Sequence, residues 1–236
     1  MDLSIIIPVY NEKDKIAEDI KAAEEFMFTN SIQGEIIIVD DGSYDDTAGF
    51  ARNVPVNSAI DFKVIDYKPH TGKGYAVKAG ILEAVSECIM FIDSGSCVPF
   101  SNIMRGIRLI HDDICDISHG SRDLPESRII KRKKWYRKLA SFFFRKFIQM
   151  YVDIPSHLTD TQCGLKIYRK EIAHELYKEC MTQGFMFDIE IILRAQKKGY
   201  RIKEFPVEWT SDPDSRLSLF RTLFSIFPEI RKIKEI

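Results

Sequence analysis

A chain of 236 residues with 45% hydrophobic, 29% charged and 11% aromatic residues has an ordinary globular composition, which excludes a disordered segment, a collagen-like repeat and a disulfide-stapled miniprotein. Its formal charge of −1 argues against a generally nucleic-acid-binding chain. The average conceals a stretch from Arg128 to Lys146 in which basic residues recur without one acidic residue, and an anionic partner is to be sought there.

In chain order, Leu3 to Ile7 form an apolar run stopped by Pro8, as expected of a strand buried on both faces of a parallel sheet. Ile16, Ile20, Ala23, Phe26 and Met27 then recur at helical spacing, and Glu35 to Val39 form a second apolar run, completing a βαβ unit. Strand patterns return at Phe62 to Tyr67 and Cys88 to Ile92 around a helical pattern from Gly74 to Val85. This alternation selects a parallel α/β sheet. Regularity fails after Ser121, and residues up to Asp160 are basic and aromatic. The mixed pattern resumes with Gly164 to Tyr168, helices over 169–179 and 186–198, and a strand from Arg201 to Trp209. With no Gly/Ser-rich linker and no repeat, residues 1–236 read as a single domain carrying an insertion over 122–160 and an amphipathic C-terminal segment over 215–236.

The five cysteines are odd in number and irregularly spaced, with no signal peptide ahead of them, which points to a reducing compartment. No apolar run approaches the roughly 20 residues needed to span a bilayer. The five histidines show no zinc spacing, and His174-Glu175 fails as H-E-x-x-H because Lys178 takes the second histidine's position. Cys163 has no identifiable basic partner and reads as a buried structural thiol.

Three stretches carry chemistry. In Asp40-Asp41-Gly42-Ser43-Tyr44-Asp45-Asp46, Ser43 and Asp46 have the spacing of a capping box, while Asp40 and Asp41 are left at the carboxyl end of a parallel strand, where open α/β sheets bind ligands. Thr71-Gly72-Lys73-Gly74 fails as a Walker A motif and leaves a glycine-flanked lysine at a helix start, a general anion site. Asp93 ends the fourth apolar run and projects at the same sheet edge, where a divalent ion shared with substrate phosphates fits.

Taken in order, Pro8-Val9-Tyr10-Asn11-Glu12, Val39-Asp40-Asp41-Gly42-Ser43 and Asp93 resemble family 2 glycosyltransferases. Gly120-Ser121-Arg122, Asp160-Thr161-Gln162-Cys163-Gly164-Leu165-Lys166 and Phe185-Met186-Phe187-Asp188-Ile189-Glu190 look like the branch that glycosylates polyprenyl phosphates, especially dolichyl-phosphate β-glucosyltransferases. The resemblance implies the GT-A fold, an α/β Rossmann-like architecture with a mixed, mostly parallel sheet flanked by helices. It also implies an inverting transfer of a hexose, glucose, from a nucleotide sugar such as UDP-glucose to a polyprenyl phosphate, with a transferase of the same fold acting on a saccharide or lipid-hydroxyl acceptor as the alternative.

By position, the resemblance assigns Pro8, Tyr10, Glu12, Asp40, Asp41 and Lys73 to the nucleotide. Asp93 matches the first position of the D-x-D element that holds Mg2+ or Mn2+ and the diphosphate, but Gly95 occupies the second, which weakens the metal assignment and keeps a non-catalytic nucleotide-binding reading open. Asp188 stands where inverting members carry an acidic residue beside the acceptor. Because a phosphate acceptor is already ionised, Asp188 is assigned to orientation instead of proton removal. Arg122 is expected to bring the acceptor phosphate to the donor, with Arg128, Arg132, Arg137, Gln162, Ser215 and Arg216 beside it.

Lys134, Lys138 and Arg145 share one side of a helical pattern whose other side carries Tyr136, Ala140, Phe143 and Phe147, and a second apolar stripe runs through Phe220, Phe224 and Phe227. These segments read as amphipathic helices lying on an anionic membrane surface, making the chain a peripheral protein of a cytoplasmic membrane face.

Overall fold

The computed structural model describes residues 2–131, 152, 154–210, 228–234 and 236. Strands β1 (Asp2–Val9), β2 (Gln33–Asp40), β3 (Asp61–Asp66) and β4 (Cys88–Ile92) alternate with helices α1 (Ile16–Thr29), α2 (Thr47–Arg52) and α3 (Lys73–Glu83). A 3-10 turn (Phe100–Asn102) leads into α4 (Ile103–His111), followed by β5 (Ile117–Ser121), β6 (Arg128–Lys131) and β7 (Leu165–Arg169). Helices α5 (Lys170–Glu179) and α6 (Phe187–Lys197) and strands β8 (Ile202–Pro206) and β9 (Glu208–Thr210) follow, and residues 228–233 are helical. Seven strands form one sheet in the order β3-β2-β1-β4-β7-β5-β8, while β6 and β9 pair separately.

The apolar runs are buried on both faces, as the uninterrupted hydrophobicity of β1, β2 and β4 requires. Leu3, Ile5 and Ile7 pack with α1 and α4 residues such as Ile20, Phe26 and Ile107. Ile6, Ile37 and Phe91 face the other way, against Val77 of α3, Leu176 of α5 and Ile191 of α6. Deleting one of these side chains to alanine removes burial and leaves a cavity, at about 2 to 5 kcal/mol.

The sheet is parallel except at β7, which runs antiparallel to both β4 and β5. That reversal brings the start of β7 to the edge where β1, β2 and β4 end. Asp93 N–H donates to Gly164 O at 2.8 Å across this junction. Helix α4 and strand β5 fall between Ile92 and Ser121, where the sequence pattern named no element. Ser118, His119 and Gly120 interrupt the apolar run of β5, although all five of its residues are buried. The strand expected over 201–209 divides at Val207, whose N–H donates to Ser121 O, so that β8 joins the main sheet and β9 pairs with β6.

The capping box expected from Ser43 and Asp46 is corrected. Asp46 precedes α2 in a left-handed conformation (φ 63°) and its side chain caps nothing. The first turn is capped instead by Asp45 Oδ1, which accepts from Thr47 N at 3.1 Å, and by Asp40 Oδ2, which accepts from Ala48 N at 3.1 Å. Ser43 Oγ accepts from Asn11 N at 2.7 Å and ties the loop after β2 to the loop after β1.

Candidate active site

The expected residues gather along the carboxyl edge of β1, β2 and β4. Pro8 is in β1, paired with Val39, and the chain leaves the sheet through Tyr10 and Glu12, whose N–H donates to Thr47 Oγ1 at 3.0 Å. The two aspartates of the second loop divide their work. Asp40 accepts from Ser43 N at 2.8 Å as well as from Ala48 N, so it shapes the turn. Asp41 reaches the next loop instead, where it accepts from Thr71 N at 2.8 Å, Gly72 N at 2.9 Å and Tyr67 Oη at 3.0 Å. Burial and the Asp41 charge raise the Tyr67 phenol above its ordinary value, so it stays a donor.

His70 Nδ1 lies 2.8 Å from Asp41 Oδ2, and the His70 ring stacks on Tyr10 with centroids 4.1 Å apart; the Tyr10 hydroxyl also meets that of Tyr44. Tyr67, Tyr44 and His70 are site members that the motifs did not reveal. They come from loop positions whose proximity depends on the fold.

Lys73 is the first residue of α3, between two glycines that only a close approach explains. A Cβ on Gly72, whose φ is 127°, would fall 2.5 Å from Gln183 O, and one on Gly74 would fall 2.8 Å from the Phe187 Cβ. The loop before α6 is therefore pressed against the Lys73 turn. Lys73 Nζ stands 2.5 Å from Asp93 Oδ1 and about equally far from two aromatic rings, 6.0 Å from the Phe91 centroid and 5.9 Å from that of Phe187. Although burial works against its charge, Asp93 and Asp188 hold the ammonium above its ordinary value.

Lys166 is fully buried on β7, donating to Asp188 Oδ1 at 2.6 Å and to Cys163 O at 2.9 Å. Burial pushes the Asp188 carboxyl up, against the pull of Lys166 and Lys73. Lys73, Asp93, Lys166 and Asp188 thus form two neighbouring ion pairs of balanced charge. The sequence reading did not assign Lys166 a role; its signal was a lysine inside the apolar run Leu165-Lys166-Ile167-Tyr168. Gly164 was also missed as a site element. A Cβ there would lie 1.9 Å from Asp93 Oδ2, so only glycine leaves room for that carboxylate.

Asp19 is a further unexpected member. It accepts from Gly95 N at 2.8 Å and Ser96 N at 3.1 Å, and burial raises its carboxyl above the usual range against those bonds. Asp19 fixes the loop after Asp93 in the absence of a carboxylate at position 95. Burial pushes the Cys163 thiol up to about 12, in keeping with a structural cysteine.

Arg122 forms a buried fork with Asp160: Nε donates to Oδ2 at 2.6 Å and Nη2 to Oδ1 at 2.7 Å, with the guanidinium 5.5 Å from the Trp209 centroid. Gln162 follows in the same loop, half-buried. Arg128 is not brought into this group: it is on β6, largely exposed, 3.9 Å from Glu208. Arg132, Arg137, Ser215 and Arg216, and the helices expected around Lys134, Lys138 and Arg145 and around Phe220, Phe224 and Phe227, lie outside the described residues. Among the described residues, no helix is long and apolar enough to cross a membrane.

Fold and site together define a glycosyltransferase of the GT-A type. The chain matches Glycosyl transferase family 2 over residues 4–177 and belongs to that family. The dolichyl-phosphate beta-glucosyltransferase of Dictyostelium discoideum is 28% identical over 242 residues, spanning 98% of this chain and 73% of the relative. That of Saccharomyces cerevisiae is 28% identical over 238 residues, spanning 92% and 69%, and the human protein is 27% identical over 229 residues, spanning 92% and 70%. In fold, the chain is similar to mannosyl-3-phosphoglycerate synthase from Rubrobacter xylanophilus (TM-score 0.70, 14% identity, 100% of this chain and 76% of that one). It is also similar to glucosyl-3-phosphoglycerate synthase from Mycobacterium tuberculosis in complex with Mn2+, UDP-glucose and glycerol 3-phosphate (TM-score 0.66, 13% identity, 98% and 80%).

A divalent ion is implied by this fold. Among the described residues, no three His, Cys, Asp or Glu side chains group as an ion cage. Asp93 Oδ1, however, is buried and among the described residues has no partner besides the Lys73 ammonium. One such carboxylate fits an ion of the Mg2+ type, which keeps several waters and binds through one or two carboxylates plus substrate phosphates.

Proposed function

We propose that this glycosyltransferase moves glucose from UDP-glucose to a polyprenyl phosphate of the dolichyl phosphate class, with inversion at the anomeric carbon, at a membrane surface. The observation that carries this reading is the pair of lysines, Lys73 and Lys166, set against Asp93 and Asp188 at one sheet edge, in a chain similar over 98% of its length to a dolichyl-phosphate beta-glucosyltransferase. Two anions, a diphosphate and a lipid phosphate, have to meet there. Fixed cations at that edge reduce their repulsion.

In this reading Asp41, with Tyr10, Pro8 and Glu12 around it, receives the nucleoside, and Asp40 shapes the loop that presents Asp41. The Lys73 ammonium releases Asp93 Oδ1 and turns to the diphosphate, countering the charge that grows on the leaving group. A divalent ion, when bound, supplies further positive charge at the diphosphate, and Asp93 would hold it.

The acceptor phosphate is ionised near neutral pH, so one of its oxygens attacks the anomeric carbon as the bond to the diphosphate breaks, and no proton has to be removed. Asp188 accordingly orients Lys166. Arg122, braced by Asp160, addresses the acceptor phosphate, with Gln162, Arg132, Arg137, Ser215 and Arg216 as further acceptor contacts. Membrane attachment is assigned to the basic and aromatic segments over 122–160 and 215–236, through anionic lipid.

A donor panel tests the reading. UDP-glucose, UDP-galactose, GDP-glucose and GDP-mannose are each incubated with a polyprenyl phosphate, and the glycolipid is quantified. UDP-glucose is expected to give the fastest turnover; preference for a GDP sugar would overturn the donor assignment.

A further inference from the structure

We propose that Glu229 is a positioning residue for glycosyl transfer, acting on Lys73 through the loop that backs it. The proposal rests on the reading of Lys73 as a group at the transfer centre.

Glu229 belongs to the helical residues 228–233, remote in sequence from the site. Its Oε1 accepts from Gln183 N at 3.1 Å and Gly184 N at 2.6 Å, and its Oε2 accepts from Met186 N at 3.2 Å. Helix α6 has no side-chain cap at Met186, so this carboxylate satisfies the Met186 N–H, which a helix start otherwise leaves orphaned, together with two N–H groups of the loop before it. Gly184 makes the approach possible, because a Cβ there would lie 2.9 Å from Glu229 Oε1.

The same loop supports the Lys73 turn from its other side. Gln183 O accepts from Tyr75 N at 3.1 Å, and Gly72 and Gly74 are pressed against Gln183, Gly184 and Phe187. Two residues beyond Met186 stands Asp188, the partner of Lys166. One carboxylate thus clamps a four-residue loop (183–186) that backs Lys73 on one side and starts the Asp188 helix on the other. The rest of 228–233 has an apolar anchor that does not use the Glu229 carboxylate: Ile230 and Ile233 pack with Met186 and Ile189. Removing the charge of Glu229 therefore leaves its own helix seated.

The test uses the full chain, UDP-glucose and a polyprenyl phosphate in detergent, with Glu229→Gln, Lys73→Met and the double variant. Glutamine keeps the volume but turns an amide N–H2 toward backbone donors. Glu229→Gln is expected to lower kcat about tenfold, equivalent to about 1.4 kcal/mol of transition-state stabilisation, while the KM for UDP-glucose changes less than twofold and Tm stays within a few degrees. In the Lys73→Met background the same substitution is expected to cost less than twofold, because residues that act through one another are non-additive.

An unchanged kcat in Glu229→Gln beside a slow Lys73→Met would overturn the proposal alone. Additive losses would overturn it too, by showing that Glu229 acts elsewhere. Full activity in Lys73→Met would remove both the proposal and the reading of Lys73 beneath it.

Discussion

Lys73 Nζ and Asp93 Oδ1 stand 2.5 Å apart, one at the start of α3 and the other just past the end of β4, the element that follows it. The pair holds a cation at the sheet edge before any anionic ligand arrives, and it leaves the Asp93 carboxylate 35% exposed on the outer side. Asp93→Ala is expected to reduce transfer by about 100-fold or more, the scale of losing one preorganised electrostatic group. Near-normal turnover of a folded variant, measured by glycolipid formation, would contradict that role.

Ion dependence follows from position 95. With Gly95 in place of a second carboxylate, Mn2+ is expected to activate weakly, at roughly millimolar concentrations typical of low-charge sites. Excess chelator is expected to lower transfer, and Gly95→Asp to shift the Mn2+ titration to lower concentration. Gly95 has a φ of 79°, which aspartate tolerates at a cost of about 1 to 2 kcal/mol. Unchanged Mn2+ titration in that variant would detach position 95 from the ion.

Lys166 and Asp188 are 1% and 5% exposed as side chains, so each depends on the other for its charge. Lys166→Met alone leaves a buried carboxylate unpaired and is expected to cost about 3 to 5 kcal/mol in chemical unfolding. Adding Asp188→Asn is expected to restore much of that loss. A double variant no more stable than Lys166→Met would mean that the pair contributes by packing alone.

How far the site was legible in the sequence depended on distance along the chain. Asp41, Lys73, Asp93 and Asp188 stand at strand ends or helix starts, where the apolar period breaks and a polar residue is conspicuous. Asp19 and Glu229 are acidic residues on helices, and in sequence they look like solvated charges; only the packing of α1 on the loop after β4, and of 228–233 on the loop before α6, gives them donors to hold. Strand β7 was legible as a strand, but its antiparallel direction was not, because direction is set by the connection that precedes it. The capping box failed for a related reason: Asp40 already accepts from Ser43 N, and α2 starts only at Thr47, where Asp45 and Asp40 take the first N–H groups.

His119 gives the fold an acid-sensitive point. It is 1% exposed on β5, neither ring nitrogen has a hydrogen bond, and burial with the nearby Lys166 charge holds it well below its usual range. The folded chain keeps it neutral while the unfolded chain takes up a proton below about pH 6.5. Stability is therefore expected to fall as pH drops from about 6.5 toward 5, before carboxylates titrate. His119→Leu is expected to flatten that slope in pH-dependent unfolding; an unchanged slope would assign it to another group.

The nature of the acceptor is the most direct test. Purified chain is supplied with UDP-glucose and either a polyprenyl phosphate or the matching polyprenol, and products are separated and weighed by mass spectrometry, with the anomeric configuration read by NMR. A β-linked glucosyl phospholipid from the phosphate and no product from the alcohol is the expected result, since in the proposed reaction the acceptor is already ionised. Equal or faster glucosylation of the alcohol would contradict it, and would assign Asp188 the role of a base.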